Sequence, residues 1–360
     1  MARDRVTTEL LTLIVPGDPD QPTGGYRYDA RIASELRALG WTVDVIGLPG
    51  RFPEADDEAR SALDSALRAL PDSHLAVLDG LALAGLLAVA CRHARRLALV
   101  ALVHHPLADE TGLPPALREH FLQTEPRALA ACRRIVTTSE FTARRLVDLG
   151  VHRDRIRVVA PGVDSARPSQ AWDPARHHLL CVGSLVRRKG QDVLIEALAG
   201  LQDFPWMLDL VGDPKRDPVF AASLRSAVNK HGLQDRIGIR GVQDTHTLDA
   251  TYHAADLLVV PSHYEGYGMV VTEALARALP IIATSGGALA DTVPPEAGLQ
   301  VPAGDSSALA DALRRWFSEP GLRAEKRAGA HAARHALTDW VETGRCFAQA
   351  LARLDEEPAP

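Results

Sequence analysis

A chain of 360 residues is long for a single core and favours about two domains. Its hydrophobic fraction of 46% and charged fraction of 24% are those of a soluble globular protein, and a formal net charge of −6 leaves no electrostatic footprint for nucleic acid. No apolar run approaches the ~20 residues of a membrane-spanning helix. Arginine pairs such as Arg95-Arg96, Arg133-Arg134 and Arg144-Arg145 read as solvated helix faces that leave room for peripheral membrane contact.

The first apolar run, Leu10–Val15, reads as a strand; it is too short for a signal-peptide core and runs into Pro16-Gly17-Asp18. Asp18-Pro19-Asp20 follows in a proline-bounded loop, and then Pro22-Thr23-Gly24-Gly25-Tyr26, whose paired glycines serve either close backbone approach to a ligand or a tight turn. A helical pattern from Tyr28 to Leu39 ends at Gly40, where a C-terminal cap is expected. Strand candidates follow at Val43–Ile46, Leu75–Leu78, Leu97–Val103, Ile135–Thr138 and Arg157–Val159, with His104-His105-Pro106 at the carboxyl end of the fourth. Short β-rich runs alternating with longer helical patterns are the signature of parallel βαβ units, so the first half reads as a doubly wound domain.

Pro161 to Pro174 is rich in breakers and lacks periodicity, which makes it the linker candidate. A second series of strands follows at Leu179–Val182, Met207–Val211, Ile237–Arg240, Leu257–Val260, Ile281–Ala283 and Leu299–Val301. Two βαβ domains on a short hinge imply a ligand cleft between them. The tail 355–360 is charged and proline-bearing and is expected to be disordered. Cys91, Cys132, Cys181 and Cys346 are far apart, without zinc-ligand spacing, and read as buried thiols of a reducing, cytoplasmic compartment.

Two segments carry chemistry. After the strand ending at Val182, the loop Gly183 to Gly190 presents Arg187, Arg188 and Lys189 in a row beside a glycine. Only four of the 40 basic residues are lysines, so a lysine here is conspicuous. Cations on such a loop can offset phosphate charge, although a solvated basic turn has the same composition. The second segment, Glu265 to Glu273, again reads as strand, glycine loop and helix, with one carboxylate in the loop and one in the helix's first turn. Its glycines let backbone N–H groups face a ligand, the helix N-terminus suits phosphate, and a carboxylate beside them suits sugar hydroxyls. No serine-hydrolase elbow, dinucleotide fingerprint or Walker loop is present.

Taken together, these segments resemble the retaining, nucleotide-sugar-dependent glycosyltransferases of family 4. The resemblance rests on Gly24-Gly25, on Pro161-Gly162-Val163-Asp164, on Gly183-Ser184-Leu185 through Lys189-Gly190, and on Pro261-Ser262 through Glu265-Gly266-Tyr267-Gly268 to Glu273-Ala274. It implies an α/β GT-B architecture of two facing Rossmann-like domains with parallel sheets and an interdomain cleft. Residues 1–165 would form the acceptor-side domain, and 166–338 the donor domain. A C-terminal helix, about 339–354, would pack back on the first domain. It further implies that Glu265 contacts the donor sugar, Glu273 the ribose, and Lys189 the diphosphate, with His104 near the reacting sugar. Gly266, Tyr267 and Gly268 would approach the donor sugar and distal phosphate through their backbone, Gly24 and Gly25 would approach donor phosphate or acceptor, and Gly241 lies in what looks like the base-contacting loop. Where the family often carries Arg, this chain has Ser184, so Arg187 or Arg188 would have to assist Lys189.

Asp18-Pro19-Asp20 matches the D-x-D of metal-dependent transferases of the other main fold, but sits in the wrong architecture, so no metal or other cofactor is expected. The partners implied are a nucleoside-diphosphate sugar and a small-molecule, glycan or lipid-linked acceptor. Acceptor, donor sugar, base and oligomeric state are not written in these motifs. A nucleotide-sugar epimerase of the same architecture and a non-catalytic sugar-nucleotide-binding relative are the alternatives.

Overall fold

The structure is a computed structural model that describes residues 9–170, 176–352 and 354. The expected disordered tail lies outside the described residues, as do 171–174 of the breaker-rich segment. The chain divides into two compact units: Met1–Gly162 with Trp340–Pro360, and Val163–Asp339.

In the first unit six parallel strands stand in the order β2-β1-β3-β4-β5-β6: β1 Leu10–Pro16, β2 Thr42–Leu48, β3 Leu75–Asp79, β4 Ala98–Val103, β5 Arg134–Thr137 and β6 Ile156–Val158. The central strands are apolar on both faces because helices cover both; every residue of β4 is buried. The chain winds one way from β1 to β2 and the other way from β3 onward. The carboxyl ends of β1 and β3 therefore flank a topological switch point, where open α/β sheets place ligands.

The helix Gly24–Ala38 follows β1, and the helix Trp340–Leu351 packs on it. Arg31 lies over the Trp340 ring at 5.0 Å, and a side chain at Gly344 would meet Glu35 Cβ at 2.5 Å, so the glycine sets how closely the two helices approach. Arg134 anchors the far end of the last helix through hydrogen bonds to the Ala350 and Ala352 carbonyls.

The second unit repeats the scheme with β7 His177–Val182, β8 Trp206–Val211, β9 Ile237–Gly241, β10 Leu257–Val260, β11 Ile281–Thr284 and β12 Gly298–Val301. All are parallel, in the order β12-β11-β10-β7-β8-β9. Its switch point falls between β7 and β10. The loops leaving those two strands are Gly183 to Gly190 and Pro261 to Gly268, the two segments that carry the sequence motifs. Buried Trp206, Trp316, Phe220 and Leu210 anchor the core on one face of this sheet.

Candidate active site

In the second unit the two switch-point loops are fastened to each other. Gly190 has φ +63°, and a Cβ there would lie 2.2 Å from the Pro261 carbonyl oxygen, so only glycine fits. The His263 N–H donates to the Arg188 carbonyl at 2.8 Å. Behind them, Gly287, at φ +66°, would place a Cβ 2.3 Å from the Glu265 carbonyl oxygen, and Ala288 N donates to that oxygen at 2.8 Å. Three loops therefore fix the backbone of Glu265.

Glu265 is 6% exposed. Its Oε1 accepts from Lys189 Nζ at 2.6 Å and from Ser262 Oγ at 2.7 Å, and its Oε2 from Arg188 Nη1 at 3.3 Å. Burial alone pushes the carboxyl's pKa up. The charges of Lys189 and Arg188, with the hydrogen bonds from Lys189 and Ser262, outweigh burial and hold it at about 2. Glu265 and Lys189, expected to face sugar and diphosphate separately, are thus paired with each other. A buried carboxylate without a cation would be far costlier. The ammonium stem crosses Gly183, whose missing Cβ would lie 3.3 Å from Lys189 Cδ.

The two arginines that follow Ser184 in this loop diverge. Arg187 turns its guanidinium over the Phe220 ring at 5.7 Å, whereas Arg188 reaches Glu265 and the Tyr264 carbonyl, at 2.8 Å. Gly266, Tyr267 and Gly268 lead into the helix Met269–Ala276, with Gly268 at φ +90° as its N-cap. That left-handed cap delays the helix start. Glu273, expected in the first turn, therefore stands in the second, where its Oε2 accepts from Tyr252 Oη at 2.8 Å. Gly241, φ +69°, ends the edge strand β9 and lies two strands from β7, apart from the Lys189–Glu265 cluster.

In the first unit Gly24 and Gly25 are not loop residues but the first turn of the helix Gly24–Ala38, which starts four residues before the expected Tyr28. Gly25 allows the His104 ring to lie against the helix: a Cβ would meet His104 Cδ2 at 3.2 Å. His104 Nε2 bonds Asp29 Oδ1 at 3.0 Å and stands 3.8 Å from Asp79 Oδ2. Burial pulls the imidazole's pKa down, but Asp29, by charge and hydrogen bond, and Asp79, by charge, raise it to about 9. His105 diverges to Glu110, at 3.1 Å.

Asp18 spends an oxygen on the Asp20 N–H at 2.9 Å, a local turn. Asp29, Asp79 and His104 bring one oxygen or nitrogen each within 4.8 Å of one another. Ser262 was read only as part of its motif, and Tyr252, Asp29 and Asp79 were not singled out from sequence, nor was Gly286-Gly287. That last pair follows β11 as Gly24-Gly25 follows β1, and was the one legible signal among them.

Two six-stranded parallel sheets with their motif loops at the switch points define a two-domain α/β fold of the GT-B type. The description "Glycosyltransferase Family 4" matches residues 22–167, and "Glycosyl transferases group 1" matches 163–334. The chain belongs to the family 4 glycosyltransferases. D-inositol 3-phosphate glycosyltransferase of Acidothermus cellulolyticus is 36% identical over 239 residues, 61% of this chain and 53% of that protein. Its namesake in Pseudarthrobacter chlorophenolicus is 31% identical over 270 residues, covering 68% and 63%. The chain thus spans between about half and two thirds of these relatives' length.

Among solved structures, sucrose-phosphate synthase from Thermosynechococcus elongatus superposes with a TM-score of 0.81 at 23% identity, covering 97% of this chain and 99% of that one. Anabaena HepE in complex with UDP-glucose gives 0.75 at 18% identity, covering 95% and 99%. Among the described residues, no helix is long and apolar enough to cross a membrane.

Proposed function

We propose that the chain is a retaining, metal-independent glycosyltransferase that moves a sugar from a nucleoside-diphosphate sugar to an acceptor hydroxyl. The observation that carries this reading is the buried Glu265, kept ionised by Lys189 and Arg188 at the mouth of a glycine loop that runs into a helix N-terminus. Departure of a nucleoside diphosphate builds oxocarbenium character on the sugar and negative charge on phosphate. Fixed charge and N–H groups stabilise that change without reorganising. In this reading Glu265 holds the sugar's hydroxyls, and the backbone of Gly266, Tyr267 and Gly268 meets sugar and phosphate.

Lys189 has three N–H donors and gives one to Glu265, so the ammonium can bridge carboxylate and diphosphate, with Arg188 beside it. Glu273 is assigned the ribose, oriented by Tyr252, and Gly241 the base. On the first unit Gly24, Gly25 and His104 are assigned to the acceptor and reacting sugar. All four cysteines are free, which supports a cytoplasmic setting.

The test is a thermal-shift screen of UDP, GDP and ADP and their sugars, followed by transfer assays with excess EDTA. HepE is known with UDP-glucose, so the uridine series comes first. The relatives' name makes inositol 3-phosphate the first acceptor, with glycans and lipid-linked sugars alongside. The expected result is stabilisation by one nucleotide series and EDTA-resistant transfer with anomeric retention by NMR. Sugar interconversion without nucleotide release would replace transfer with epimerisation.

A further inference from the structure

Behind His104 lies a pair of carboxyl groups that the transfer chemistry above does not use. Asp29 comes from the helix Gly24–Ala38 and Asp79 from the end of β3, so both stand at the first sheet's switch point. They are 3% and 5% exposed. Asp29 gives Oδ1 to His104 Nε2, while its Oδ2 is buried with no hydrogen-bond partner. Asp79 gives Oδ1 to the Leu81 N–H at 2.7 Å and turns Oδ2 toward the imidazole. Two ionised carboxylates this close and this dry repel strongly. A bare carboxylate oxygen in the same place lacks a donor, and one proton carried by Asp79 meets both needs.

We propose that Asp29 and Asp79 are positioning residues that share one proton, and that this pair fixes His104 as an imidazolium, a cation and hydrogen-bond donor and not a general base. The inference rests on the transferase reading for what the imidazolium is used for, though not for its protonation. Burial and the charge of Asp29 raise the Asp79 carboxyl to about 7, which keeps its proton through mildly acidic conditions. Among the described residues, Asp29 and Asp79 are the charges that act on the ring. Tyr28 meets it edge-on at 5.6 Å, the Thr138 and Thr142 hydroxyls donate to its backbone carbonyl at 3.3 and 3.4 Å, and His105 is turned to Glu110. Gly25 lies against Cδ2, and the ring stays 20% exposed.

The experiment is a 15N-histidine NMR titration of the full-length protein, with the His104 signal assigned by its loss in His104→Gln. The His104 midpoint is expected near 9, against an ordinary value of 6.5. Asp29→Asn removes the charge that holds the proton and lowers the midpoint by ~2 units or more. In Asp79→Asn the midpoint also falls, but by less than in Asp29→Asn, because Asp79, ionised by the time His104 titrates, acts on the ring by charge alone from 3.8 Å. The high-pH fall in transfer rate tracks these midpoints. A wild-type midpoint at or below 6.5, or equal falls in the two variants, overturns the proposal. If Asp29→Asn does not fold by circular dichroism, the wild-type midpoint and Asp79→Asn decide. Titrations as expected with no transfer from any nucleotide sugar leave the proton-sharing pair standing and sink the transferase reading.

Discussion

Glu265→Gln changes one heavy atom and removes the charge on which the two switch-point loops of the second unit converge. Relative to its ordinary value of 4.5, the carboxyl is held at about 2, a difference worth about 3 kcal/mol at 1.36 kcal/mol per unit. The group is buried, so little of this is screened away. The sign follows from linkage. Between pH 4.5 and 2 the unfolded carboxylate binds the proton that the folded one refuses, so the stabilisation is complete above about 4.5 and is lost as pH falls through about 2.

The variant also leaves Lys189 and Arg188 facing each other without their anion, which adds to the loss at neutral pH. Urea unfolding followed by tryptophan fluorescence, with Trp206 and Trp316 buried in this unit's core, should place Glu265→Gln about 3 kcal/mol or more below wild type at pH 7. The gap should shrink steadily toward pH 3 while other acid-sensitive groups cancel in the comparison. A gap that is the same at pH 7 and pH 3 refutes the assignment of Glu265 as an ionised, cation-held group.

Three further outcomes follow from the same geometry. Lys189→Ala takes the nearest cation from Glu265 and from a bound diphosphate, so calorimetric affinity for the preferred nucleoside diphosphate should fall by about tenfold or more, the 1.4 kcal/mol of one charge-assisted contact. Arg188→Ala should weaken that affinity several-fold and Arg187→Ala leave it nearly unchanged, since Arg187 is committed to Phe220. Equal effects would mean that the loop binds phosphate by diffuse charge. Gly25→Ala suits the helix it sits in, but its methyl would stand 3.2 Å from the His104 ring. Thermal stability should hold while transfer drops, and a fully active variant would remove His104 from the site.

What the sequence shows of this molecule and what it hides divide along a physical line. The inner strands announce themselves as apolar runs because a parallel sheet buried on both faces leaves no polar alternation, while the partly exposed edge strands β2, β6, β9 and β12 admit polar residues or glycine. Helix starts are harder to place. Gly24-Gly25 has poor helix propensity and reads as a loop, yet the position needs glycine so that His104 can close on the helix, a demand from a residue 79 positions away. Likewise Glu265 and Lys189 were each legible as members of a ligand loop, but their pairing across 76 residues was not.

Such pairings come from the strand order. Placing β10 beside β7, and β3 beside β1, brings together loops that are distant in sequence, and in both units the juxtaposition falls at the switch point. The two switch points then solve the same electrostatic problem with opposite signs. In the second unit two cations from the β7 loop hold one buried carboxylate ionised. In the first, two buried carboxyls hold one imidazole charged. In the proposed transfer neither constellation costs reorganisation when charge moves, because each is already paired and held against closely packed backbone glycines. Substitutions that leave the charges intact but swell those glycines should therefore impair transfer as much as removing a charge does. Gly190→Ala, with its Cβ 2.2 Å from the Pro261 carbonyl oxygen, is the sharpest case. It should cost about 2 kcal/mol or more of stability, read by urea unfolding, and at least as much transfer activity as Lys189→Ala. A Gly190→Ala protein that bound nucleoside diphosphate and turned over normally would show that the fastening of the two loops is incidental to the chemistry.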